Sequence, residues 1–307
     1  MSTAGKWIVG IAVAFAGMGF LVLAMSIFML ATAVTTTGSD TYEENFGGSS
    51  TNRVALIEID SPIFNAEDVI RQLRKYRKRS SVKAIVLRLD SPGGGVVPSH
   101  EIYREVQRTR KFGKPVVVSM GSVAASGAYY IACAASYVVS NPGSITGSIG
   151  VISEFADYSD LMEKIGVETT TIKSGEYKDT GSPTRPMRPD EKLQLQKTID
   201  DMYAQFVDVV ARGRSLDRDS VRVLADGRIF TGTQAYRHGL VDTLGTLQTA
   251  ITVAGTLGKI QGEPRIVREQ EQPAALDFLL GTETRKNIQG IGTRLQNSSP
   301  LQYRLPY

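Results

Sequence analysis

Two glycine-bearing stretches hold the residues best suited to chemistry. Asp90-Ser91-Pro92-Gly93-Gly94-Gly95 follows one apolar run, and Gly121-Ser122-Val123-Ala124-Ala125-Ser126-Gly127 follows another. Glycines where a strand passes into a helix let backbone N–H groups approach a bound atom, and the helix start adds positive potential. The first stretch therefore suits an oxyanion hole or a phosphate cradle. No GK[ST] pattern follows it, which makes phosphate the weaker reading. A serine at a helix start is ordinarily only a cap. Ser126 becomes a nucleophile if a base and oxyanion donors stand beside it. The N–H of Gly127 and one from Gly93 or Gly94 can supply the donors.

The base is harder to choose. The chain has two histidines, His100 and His238. Arg237-His238-Gly239 reads as a helix end, where His meets backbone carbonyls. His100 lies near the glycine triplet and stays open. A lysine serves instead when burial or a neighbouring cation lowers its pKa. Lys173 and Lys178 share the loop IKSGEYKDTGSPTRPM (172–187), and spacing does not separate them. The single cysteine, Cys133, excludes an intramolecular disulfide framework and a multi-cysteine metal site. In the run YYIACAA it reads as a small core residue. No metal and no cofactor is expected.

The elements that must position these residues follow from periodicity. Val54–Ile59, Val82–Leu89, Lys114–Ser119, Tyr137–Val139, Ile149–Ile152 and Thr169–Ile172 are short β-branched or apolar runs, read as strands. Helices are expected from Asn65, as cap, to about Lys78, and from Pro98 to Arg110. Others begin near Ala125 and run from Asp190 to Arg212, with Leu193, Leu195, Ile199, Met202, Phe206 and Val209 as the apolar stripe. Shorter helices are expected over Ser220–Ala225, Gly232–His238 and Thr246–Ala254. Strands alternating with helices indicate an α/β fold with a largely parallel sheet.

The N-terminal segment addresses the compartment. Trp7 to Val34 carries no charge over 28 residues, more than the roughly 20 that cross a bilayer as a helix. With Lys6 before it, the positive-inside rule puts residues 1–6 in the cytoplasm and the rest outside. This implies a single-pass anchor over 7–34 in the cytoplasmic membrane. Ala31-Thr32-Ala33 resembles a cleavage site, so removal of the segment is the alternative. Residues 35–52, rich in Thr, Ser and Gly, read as a flexible linker. The folded domain is expected over 53–257 and a poorly ordered tail over 258–307. The net charge of +4 is spread over 35 basic and 31 acidic residues. The dense run Arg71–Arg79 reads as a solvated helix face and turn rather than a nucleic-acid or headgroup site.

Five segments together resemble the signal peptide peptidase A family of Ser/Lys proteases, of the half-length bacterial type. They are LRLDSPGGGV (87–96), SVAASGAYYIACAA (122–135), NPGSITGSIGVI (141–152), IKSGEYKDTGSPTRPM (172–187) and GRIFTGTQAYRHGLVDTLG (227–245). The glycine loop is shared with the wider Clp protease and crotonase superfamily. The resemblance implies that superfamily's spiral of ββα units, with Ser126 as nucleophile and Lys178 as base. Gly93 and Gly127 would be oxyanion donors. Gly94, Thr146, Gly147, Ser148, Ile149, Lys173 and Ser182 would shape the substrate groove, Thr146–Ile149 as a strand. It further implies a homo-octamer whose dyads form across subunits, acting on remnant signal peptides and other unstructured apolar peptides. A tail reaching the protein's own active sites would fit the unassigned last 50 residues. The competing readings are a crotonase-type acyl-CoA enzyme and an inactive membrane scaffold.

Overall fold

A computed structural model describes residues 25, 41–48, 50–271 and 302–304. The expected anchor, apart from Met25, lies outside them. Among the described residues no helix is long and apolar enough to cross a membrane. The chain divides into two units, Met1–Glu43 with Glu269–Gln296, and Glu44–Arg268 with Asn297–Tyr307. The second unit contains every residue singled out for chemistry.

In chain order the elements begin β1 (Thr41–Gly47), β2 (Arg53–Ile59), α1 (Glu67–Lys78), β3 (Val82–Ser91), β4 (Gly93–Gly95), α2 (Val96–Lys111), β5 (Val116–Ala125) and α3 (Gly127–Ala132). They continue β6 (Tyr137–Ser140), β7 (Ile145–Gly147), α4 (Ser159–Lys164), α5 (Pro189–Arg214), α6 (Arg218–Leu224) and β8 (Ile229–Thr231). The chain then forms α7 (Gly232–Arg237), β9 (Thr243–Leu244), α8 (Leu247–Leu257), β10 (Arg265–Glu271) and β11 (Gln302–Arg304). The strand order is β1-β10-β2-β3-β5-β6-β9, and β2, β3, β5 and β6 pair in parallel. This is the mixed α/β architecture expected, with a largely parallel sheet.

The parallel strands read as continuous apolar runs because helices cover both sheet faces. Side chains alternate across the pleat. Ala55, Ile57, Ile85, Leu87, Val116 and Val118 face α1, α2, α3 and the C-terminal half of α5. Val54, Leu56, Ala84, Val86 and Val117 face Ala250, Ile251 and Ala254 of α8. Each fully buried Leu, Ile or Val contributes about 1.5–3 kcal/mol, so these two layers fix the sheet that carries the site.

Several expectations are corrected. Thr169–Ile172 is not a strand: the segment is exposed, with Ile172 at 96% exposure, and it pairs with no strand among the described residues. Ile149–Ile152 is not one either. The strand there is β7, which ends at Gly147 and pairs with the far end of β5. The expected Thr146–Ile149 strand is therefore displaced by one residue at its start and two at its end. In α5 only the second half buries its stripe. Leu193 is exposed while Phe206, Val207, Val209 and Val210 are buried. The expected linker contains β1, and the expected tail contains β10, which pairs in parallel with β2 and carries the sheet past residue 257. The basic run on α1 is not wholly solvated. Arg74, at 3.5 Å, and Arg77 meet the buried carboxylate of Glu105 on α2, joined by Arg108 at 3.4 Å.

Candidate active site

The second glycine stretch is where the chain leaves the sheet. β5 ends at Ala125, Ser126 forms the corner, and α3 starts at Gly127. Ser126 has φ 54° and ψ −116°, a region that non-glycine residues seldom enter and that costs of order 1–3 kcal/mol. The corner is held from both sides. Ser126 N–H donates to the Gly147 carbonyl at 2.8 Å, and Tyr130 N–H donates to the Ser126 carbonyl at 2.8 Å. Ahead of the corner, Asp90 Oδ1 accepts from Val123 N–H at 3.0 Å, tying β5 to the glycine loop.

Ser126 occupies the cap position of α3, yet its hydroxyl caps nothing. Oγ is buried without a hydrogen-bond partner among the described residues. A structural cap would have bonded the helix N–H groups. A strained serine whose hydroxyl is kept unengaged at a strand-to-helix turn is instead the arrangement of a nucleophile elbow.

The glycine loop lies one strand away. Gly94 approaches Ile63 so closely that a Cβ there would lie 2.2 Å from the Ile63 carbonyl oxygen, so no other residue fits. Gly93 N–H donates to Ser91 Oγ at 3.2 Å. The N–H of Gly127, first in its helix, is of the kind a helix leaves without an intrahelical acceptor. The other edge of the loop is occupied. β11 runs antiparallel to β4, with Gln302, Tyr303 and Arg304 opposite Gly95, Gly94 and Gly93.

Of the expected groove residues, Gly147 supports the nucleophile directly. Thr146 and Ser148 lie beside it but turn inward. Thr146 Oγ1 donates to the Ala124 carbonyl at 2.7 Å, Ser148 N–H to the Arg228 carbonyl at 2.9 Å. Ile149 belongs to the core. Ser182 is spent within its own loop, 2.9 Å from Thr184 Oγ1. Neither histidine reaches the serine. His100 Nδ1 meets Tyr130 Oη at 2.9 Å, its pKa lowered by burial and by Arg104. The His238 ring rests on Phe230. Cys133 is buried, and burial pushes its thiol up to about 12, which leaves it an inert core residue.

The two lysines part company here. Lys173 Nζ donates to Asp179 Oδ1 at 2.6 Å and to the Glu176 carbonyl at 3.0 Å. Lys178 is exposed, and its amine makes no bond to any described residue. Within one chain it does not bond Ser126. Sequence reasoning missed the loop's other polar residues. Arg185 joins Asp179, at 2.9 Å, to the buried Glu191, at 2.5 Å. The only signal was four cations and four carboxylates between residues 173 and 191.

Comparison with known proteins identifies the family. The model of peptidase family S49 matches residues 108–261, half of the chain, and that of Clp protease matches residues 50–144. The chain belongs to peptidase family S49. It is 42% identical to a Synechocystis protein named as a protease, over 75% of this chain and 83% of that one. Protease 4 of Haemophilus influenzae is 32% identical, over 80% of this chain and 40% of its own. The chloroplastic serine protease SPPA of Arabidopsis thaliana is 37% identical, over 68% and 31%. The chain thus spans less than half of these last two. This S49 chain is a serine protease, and Ser126 is the serine its fold sets apart.

Proposed function

We propose that the chain is a membrane-anchored Ser/Lys endopeptidase that degrades remnant signal peptides and other unstructured apolar peptides. The observation that carries this is Ser126 itself: strained, buried and bonded to nothing that would make it structural. Neutral Lys178 takes the proton from Ser126 Oγ as the oxygen attacks the peptide carbonyl. The N–H groups of Gly127 and of Gly93 or Gly94 hold the oxyanion, Gly93 after releasing Ser91. The amine leaves with the proton, and water activated by the same lysine hydrolyses the acyl-enzyme.

An extended peptide laid along β4 would gain main-chain hydrogen bonds, as β11 does. The dyad is completed between copies of the chain in a ring, for which we favour an octamer. Two facts support this: neither the Lys178 amine nor Ser126 Oγ bonds any described residue, and residues 155–172 leave Tyr158, Leu161, Ile165 and Ile172 exposed. Such a patch is characteristic of an interface. The segment 7–34 would hold the ring at the cytoplasmic membrane, N-terminus inside and protease domain outside. No nucleic acid is involved.

Purified Ser126→Ala and Lys178→Ala proteins are expected to lose peptidase activity and, for Ser126→Ala, fluorophosphonate labelling. Mixing the two inactive variants under conditions that exchange subunits should restore part of the rate. Wild-type turnover by either variant alone would remove the dyad; failure of the mixture would place both residues of a site in one chain.

A further inference from the structure

The loop that bears Lys178 is dense in charge. Between residues 173 and 191 stand four cations, Lys173, Lys178, Arg185 and Arg188, and four carboxylates, Glu176, Asp179, Asp190 and Glu191. Three of the cations take all four carboxylates. Lys173 and Arg185 close on Asp179 from two sides, at 2.6 and 2.9 Å. Arg185 also pairs with Glu191 at 2.5 Å. Arg188 meets Asp190 and Glu191, both at 3.2 Å, and Glu176 at 3.7 Å. Tyr177, the other titratable side chain of the turn, hydrogen-bonds Asp190 and lies under Arg188. Lys178 alone of the four pairs with no carboxylate among the described residues, although Asp179 is its neighbour in the chain.

That division has a chemical consequence. A general base must be neutral, and a carboxylate within about 4–6 Å holds a lysine protonated. The geometry points to Lys173 and Arg185 as positioning residues that keep Asp179 away from the Lys178 amine while fixing the turn that presents it. The same turn is bonded from Lys178 N–H to the Gly175 carbonyl at 3.2 Å and from Ser182 N–H to the Asp179 carbonyl at 3.0 Å, which holds the two neighbouring residues in one backbone turn. Arg185 extends the hold to α5 through Glu191. This inference rests on Lys178 being the base.

The test is the pH dependence of kcat/KM for peptide hydrolysis by the full chain. In Lys173→Met and Arg185→Met the released Asp179 pairs with Lys178. The acidic limb then moves up by about one pH unit, a roughly tenfold loss on that limb. Adding Asp179→Asn to either variant returns the limb to the wild-type position or below. Lys173 pairs with Asp179 alone whereas Arg185 also holds Glu191, so the Lys173 variant carries the test if Arg185→Met fails to fold. A fall in kcat with an unmoved limb in Lys173→Met, or a limb that stays shifted after Asp179→Asn, would overturn the inference and leave the dyad standing. Activity in Lys178→Ala, run alongside, would instead remove the dyad and this inference with it.

Discussion

At the scale of single residues, the site depends on close approaches that side-chain types do not announce. Ser126 is kept in its strained corner by the backbone of Gly147 in front and of α3 behind. α3 is in turn pressed by α5: a Cβ on Gly213 would lie 2.3 Å from the Cys133 carbonyl oxygen. Gly213→Ala should therefore cost roughly 1–3 kcal/mol, read as a lower denaturation midpoint with unchanged slope. An unchanged midpoint would mean that the two helices yield without strain. The sequence made Ser126 a candidate but could not tell nucleophile from cap. That difference lies in a backbone angle and in a hydroxyl left unbonded, neither of which a serine codon context encodes. Lys173 and Lys178 were equally inseparable, because only the folded loop shows which of them Asp179 occupies.

At the scale of elements, legibility followed burial. β2, β3 and β5 were readable because a strand covered on both faces is apolar along its length. Thr169–Ile172 has the same β-branched composition and forms no strand, since strand preference is a preference for a half-buried pleated surface that this segment never meets. Charge organises the loop instead, and charge titrates. Hydrogen bonds from Arg185 and from Arg188 N–H hold the Glu191 carboxyl at about 2, against 4.5 when unfolded. Asp179 is likewise held well below its usual range by Arg185 and Lys173. A carboxyl depressed in the fold stabilises it fully above the unfolded value and loses that contribution as pH falls through the folded one. The loop and the start of α5 should therefore lose stability between about pH 4.5 and 2. Glu191→Gln should flatten the dependence of unfolding free energy on pH in that window, and an unaltered slope would show that Glu191 does not carry it.

At the scale of the whole molecule, the five-segment resemblance conveyed more than periodicity did, because family membership rests on motifs spread from the glycine loop to β9. The structure adds two regions that those motifs pass over: the exposed segment through α4, and the strand β11 on the open edge of the glycine loop. The second bears on kinetics. Anything tethered in the same molecule faces its binding edge at an effective concentration in the millimolar range for short flexible links, and less for longer ones. A peptide substrate wanting the β4 edge must displace Gln302–Arg304 first. A chain ending at residue 297 should then show a lower KM for short peptides with kcat little changed, and equal KM values would mean that β11 leaves the edge too readily to count. On the proposed binding of peptides along β4, β11 is a competing ligand within the same chain, and the apparent affinity for peptides becomes a difference between two peptides' affinities.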